Sequence, residues 1–106
     1  MAERPQRIGE QTLASFAKDH GWSLVSAPES ALEKTFVSES YSAGVAFAVR
    51  IAMAAEARDH HPDITLGYRK ITVRWSTHDQ GGVTQLDLDL ALACDAMAPQ
   101  VPSRAP

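Results

Sequence analysis

From Ser40 to Asp59 the chain runs without a proline, is rich in alanine, and places a single charged side chain, Arg50, between Val45 and Ala55. Alanine is the strongest helix former, and Ser38 or Ser40 can cap the start, so this segment is expected to be one long helix. A surface helix needs only one apolar stripe, whereas this one is apolar on more of its circumference. One side should lie on a sheet. A chain of 106 residues has little else to offer the other side, so a second subunit is the expected cover. Ala46, Ala48, Ala52 and Ala54 would let a symmetry mate approach closely, giving a homodimer or the four-helix contact of a homotetramer.

The remaining segments read around that helix. Leu13, Phe16 and Ala17 have helical spacing and Gly21 can stop them, which predicts a first helix over 8–20. Trp22–Ser26 and Ala31–Val37 are strand candidates separated by the turn residues Ala27-Pro28-Glu29-Ser30, a pattern that suits a hairpin. Pro62 is expected to end the long helix, because the residue before a proline is driven out of the α region. An extended piece through Tyr68 follows, with a turn at Arg69 or Lys70. Ile71, Val73 and Trp75 alternate with Thr72, Arg74 and Ser76 as in a strand buried on one face. After Gly81-Gly82, Thr84 and Asp87 have capping-box spacing. The alternation of Leu86, Leu88, Leu90 and Leu92 by itself favours a strand. Asp87 and Asp89 are poor strand formers, however, and the continuation ALACDAMA favours a helix, which is the expectation adopted.

The predicted order is helix-strand-strand-helix-strand-strand-helix: an α+β fold with a four-stranded antiparallel sheet and helices packed on one face. Residues 1–98 form a single domain without internal repeats, and Pro99–Pro106, with three prolines, reads as a disordered tail.

Several function classes are set aside by composition. The one cysteine, Cys94, cannot form an intrachain disulfide or a clustered-cysteine zinc site. A net charge of −3 with acids and bases interspersed lacks the basic footprint of a nucleic-acid binder. The N-terminal MAERPQRIGE has no apolar core segment, so neither signal nor anchor is read there and a cytoplasmic location is expected, with no membrane partner.

Three of the four histidines fall where the chain changes direction: His60 and His61 end the long helix, and His78 follows the Ile71–Trp75 strand. An imidazole, with an ordinary pKa of about 6.5, can both give and take a proton at neutral pH. Glu56, Asp59 and Asp79 stand beside them in sequence and can fix a tautomer or raise basicity. Two other readings fit the same residues. Paired histidines at a helix C-terminus are also favoured simply as solvated cations by the helix dipole. Glu56 and His60, four apart on one helix face, could with His78 offer zinc a carboxylate and two imidazoles, although the His-Glu-x-x-His spacing is missing. His20, before Gly21, reads as a surface residue at a helix end.

The stretch Glu56-Ala57-Arg58-Asp59-His60-His61-Pro62, followed at the spacing shown by Tyr68, His78 and Asp87, resembles the signature of pterin-4a-carbinolamine dehydratases in residue type and interval. Gly21-Trp22, Phe36, and Ser76-Thr77-His78-Asp79 with Gly81-Gly82 extend the likeness over residues 12–97, and the family's order of helices and strands is the one read above. The resemblance implies loss of water from a 4a-hydroxytetrahydropterin to give quinonoid dihydropterin, with no metal or organic cofactor. It implies a catalytic set of His60, His61 and His78, in which His60 and His78 are acid and base and His61 mainly holds the pterin. Asp59, Ser76, Thr77 and Asp79 would border the pocket, and Trp22 would be its flat wall or else a core aromatic. Asp87 reads as the cap of the last helix rather than a substrate contact, with Glu56, Pro62 and Tyr68 in support. The chain departs from the family at Ile64 and Thr65, where aromatics are usual, and at Trp75, where an aliphatic is usual, which bears on pocket shape. The resemblance also carries a rival, since relatives serve as assembly cofactors for other proteins through the exposed helix.

Overall fold

The computed structural model describes residues 6–26 and 29–98. Its elements are α1 (Glu10–His20), β1 (Ser23–Val25), β2 (Ala31–Val37), α2 (Tyr41–Ala57), β3 (Asp63–Gly67), β4 (Lys70–Trp75), a 3-10 turn (His78–Gln80) and α3 (Gln85–Met97). This is the predicted order, with boundaries moved by a few residues. Ala27 and Pro28 of the expected turn and the expected disordered tail, Pro99–Pro106, lie outside the described residues.

The four strands form one antiparallel sheet in the order β1-β2-β4-β3. Central strands β2 and β4 pair with Leu32 opposite Trp75 and Phe36 opposite Ile71. Alternation decides what each face carries. Ile71, Val73 and Trp75 are fully buried under the helices. On the other face Thr35 and Thr72 share a 2.8 Å hydroxyl contact and Arg74 reaches Glu33 at 3.7 Å. Lys34 falls on the inner face, yet its ammonium reaches the edge of the core, where it lies over the Trp22 and Phe36 rings and meets Asp95 Oδ1 at 2.7 Å and the His20 carbonyl at 2.9 Å.

In α2, Ser40 Oγ accepts the Ala43 N–H at 3.1 Å, and Gly44, Phe47, Ile51 and Ala55 form the buried stripe. Gly44 is needed where α2 crosses the sheet: a Cβ there would stand 3.0 Å from both Ile71 Cδ1 and Ser38 Oγ. The outward face carries Val49 and Met53, 54% and 67% exposed, with Ala46 and Ala52 beside them. Ala48 does not belong to it. The helical period turns that residue toward the core, against which it packs, so the outer stripe runs through Val49 and Met53.

The leucines of α3 follow the helical period: Leu88, Leu90, Ala91 and Cys94 are buried while Leu92 is 41% exposed. Asp87 Oδ2 accepts the Thr84 backbone N–H at 2.9 Å, which closes the start of the helix. Among the described residues no helix is long and apolar enough to cross a membrane.

Because β2 and β4 are antiparallel neighbours, the start of β2 lies beside the end of β4. The end of α2 feeds β3, whose first residue, Asp63, pairs with Arg74. Three chain segments therefore meet at one end of the sheet.

Candidate active site at the end of the sheet

The turn out of α2 is made by Asp59. Arg58 and His60 N–H both return to the Ala55 carbonyl at 3.1 Å, Asp59 N–H returns to Glu56 O at 3.0 Å, and Asp59 adopts φ 49°. This is the left-handed helix stop that glycine ordinarily provides. The helix has thus ended before Pro62 acts, and the proline only keeps His61 extended into β3, a correction to the expectation that it ends the helix. Reversal at Asp59 brings the His60 ring over the Trp75 indole, with centroids 5.9 Å apart and planes 14° from parallel.

Each of the three imidazoles is tied to a carboxylate. His60 Nε2 lies 2.5 Å from Asp87 Oδ1, and the fully buried Asp87 also accepts the Thr77 hydroxyl at 2.7 Å on Oδ2. The Asp87 contact engages His60 through Nε2, so Nδ1 is the ring nitrogen it leaves over. His61 Nε2 lies 2.7 Å from Glu56 Oε1 in a largely exposed pair, which contributes little to stability. His78 Nδ1 lies 3.0 Å from Glu29 Oε1. The Ser76 hydroxyl, 2.9 Å from Glu29 Oε2, and then the His78 contact hold the Glu29 carboxyl below its ordinary range.

Asp59, His60, His61, Ser76, Thr77, His78 and Asp79 line one open recess of about 290 Å³, on the scale of a small heterocycle. A second hollow, lined by Glu29, His61, Asp63, Arg74, Ser76 and His78, continues from it. The residues of the first recess, all marked from sequence, come from the end of α2 and the turn after β4. Asp87 lies beneath His60, Glu56 stands at the rim on His61, and Pro62 leads into β3. Two marked residues lie elsewhere. Trp22 is a core aromatic, 4% exposed, with Nε1 donating to Asp95 Oδ2 at 3.1 Å and its ring edge-on to Phe36. Tyr68 is 74% exposed in the β3–β4 turn at the opposite end of the sheet.

The zinc trio does not assemble, since Glu56 meets His61, His60 meets Asp87 and His78 meets Glu29. Among the described residues no three His, Cys, Asp or Glu side chains converge as metal ligands. Nor is the His60 side chain solvated at the helix end; it is only 12% exposed. Glu29 is the site residue that sequence reasoning missed. It sits in a polar turn and acquires its neighbours only through the β2–β4 register, so local pattern holds no signal for it.

The chain is similar to known proteins over most of its length. The family model described as pterin 4 alpha carbinolamine dehydratase matches residues 6–97. A Bradyrhizobium sp. (strain ORS 278) protein that bears the pterin-4-alpha-carbinolamine dehydratase name is 40% identical over 94 residues, 88% of this chain and 93% of that one. A Roseiflexus sp. (strain RS-1) protein bearing the same name is 40% identical over 94 residues, 89% of each chain. Among solved structures, a transcriptional coactivator/pterin dehydratase from Brucella melitensis superposes with a TM-score of 0.80 at 30% identity, over 88% of this chain and 99% of that one.

Proposed function

This chain belongs to the pterin-4a-carbinolamine dehydratase family, and we propose that it dehydrates a 4a-hydroxytetrahydropterin to quinonoid dihydropterin by histidine acid–base catalysis, within the recycling of a tetrahydrobiopterin-type cofactor. It is a hydro-lyase. The observation that carries the mechanism is the recess bordered by three imidazoles, each tethered to a carboxylate through one nitrogen.

The reaction breaks the C4a–O bond and forms a C4a=N5 double bond. One proton must reach the departing hydroxyl so that it leaves as water, and one must leave N5. His60 and His78 stand on different segments at the recess and can serve these two transfers as acid and base; each positioned transfer contributes roughly 10²–10⁴-fold. His61, on the rim between the two hollows, holds the pterin. Asp59, Ser76, Thr77 and Asp79 offer short polar groups to its hydrogen-bonding edge. The residues named need neither a metal nor an organic cofactor for this step.

The test is kinetic. Replacing His60 or His78 with Ala should lower kcat more than ~10-fold while the melting transition stays in place, and His61→Ala should raise KM more than it lowers kcat. Near-normal turnover in both of the first two variants would sink the assignment.

A second reading concerns partners. Val49 and Met53 leave an apolar stripe on α2 open, and the Brucella protein is named a transcriptional coactivator as well as a dehydratase. Self-association of that stripe into a homodimer or homotetramer is the favoured use, and docking of another protein on it is the alternative. The net charge of −3 gives no support to direct nucleic-acid binding. A cytoplasmic location suits this reading.

A further inference from the structure

We propose that Glu29 is a positioning residue that holds His78 in the tautomer with its proton on Nδ1, so that Nε2 stands as the acceptor nitrogen open to substrate. The consequence for turnover rests on the dehydratase reading; the geometry does not. Glu29 Oε1 lies 3.0 Å from His78 Nδ1, and its other oxygen lies 2.9 Å from the Ser76 hydroxyl. Both contacts keep the carboxyl ionised, and an ionised carboxylate can only accept, so Nδ1 must donate. A neutral histidine side chain left to itself favours the proton on Nε2. Without Glu29, His78 would mostly present a donor where a base is needed.

The other proton-transfer residue is anchored through its other nitrogen, His60 Nε2 against Asp87; with His78 as the base, His60 is the acid, and it can give a proton to the departing hydroxyl only when Nδ1 is protonated as well. The two imidazoles are therefore anchored through different ring nitrogens. His78 needs such a holder more than His60 does: its side chain is 81% exposed, with no burial to restrain the ring. The main chain at Glu29 is held independently of the carboxylate, by Arg74 Nη2 donating to its carbonyl at 3.3 Å and by the Ser76 hydroxyl, which shares its proton with the Ser30 carbonyl at 2.8 Å. Removing the Glu29 side chain should leave the turn in place.

Long-range proton–nitrogen spectra of the full chain with ¹⁵N-labelled histidine, taken at about pH 8.5, roughly two units above an imidazole's ordinary pKa, read the tautomer directly. The wild type is expected to show His78 protonated on Nδ1. Glu29→Ala should shift it to Nε2–H, and kcat should fall at least ~10-fold with KM within about twofold. Glu29→Gln should restore both, because its amide oxygen still accepts from Nδ1–H. A wild-type His78 protonated on Nε2, or a Glu29→Ala variant with tautomer or kcat unchanged, would overturn the proposal. A wild type that does not dehydrate at all contradicts the dehydratase reading instead, and the tautomer comparison then decides the role of Glu29 alone.

Discussion

A carboxylate with no solvent contact must find all its donors inside the protein, and Asp87 finds them in the Thr77 hydroxyl, the Thr84 N–H and the His60 ring. It joins the start of α3 to the His60 ring. Asp87→Ala would strand those donors in the interior, and the expected loss is about 2–4 kcal/mol, read as a lower urea midpoint, together with reduced turnover. A variant of unchanged stability would show the cluster to be dispensable. Sequence spacing identified the capping role of Asp87 but not its contact with His60, which depends on the packing of α2 against α3. Trp75 has an equally tertiary role as the floor under His60. Its indole N–H is buried and makes no well-formed hydrogen bond, with the Cys94 thiol the soft neighbour. Burial pushes the Cys94 thiol up to about 11. Iodoacetamide at about pH 8 should therefore leave native Cys94 unmodified and label it once urea unfolds the chain; rapid labelling of the native protein would contradict the packing described.

The elements themselves were the most legible part of the sequence, because a proline-free alanine-rich run and an Ile-x-Val-x-Trp alternation leave few choices. Their ends were harder to read. The stop of α2 is set by Asp59 at φ 49°, a conformation that costs a non-glycine residue some strain, at a position lining the recess. Asp59→Gly should stabilise the fold by about 0.5–1 kcal/mol in denaturant titration while raising KM, because the turn gains a residue suited to it and the pocket loses a carboxylate. A less stable variant would mean that Asp59 does more for the turn than its backbone angle indicates. The outer face of α2 was visible as an excess of apolar residues, but which residues compose it required the helix to be placed on the sheet. In the self-association proposed above, Met53→Glu should split the assembly, since it would force a carboxylate into an apolar contact, and Ala48→Glu should instead destabilise the subunit. Light scattering that finds the unmodified protein monomeric at micromolar concentration would remove the case for self-association.

At the scale of the whole molecule, one topological fact assembles the site. With β2 and β4 as central neighbours, the turn before β2, the turn after β4 and the exit of α2 meet at one end of the sheet, each contributing a residue to an imidazole–carboxylate pair. The histidines could be picked out from their positions at element ends and from their spacing, whereas the pairing of His60 with Asp87 and of His78 with Glu29 is long-range and appears only in the folded chain. The central claim is that this end of the sheet dehydrates a pterin carbinolamine with side chains alone. It is tested most directly by generating a 4a-hydroxytetrahydropterin in situ, adding chelator-treated wild-type protein, and following quinonoid dihydropterin by absorbance. The account predicts formation well above the spontaneous rate, proportional to protein and insensitive to EDTA; a rate no greater than that of buffer, or activity abolished by the chelator and restored by zinc, would contradict it.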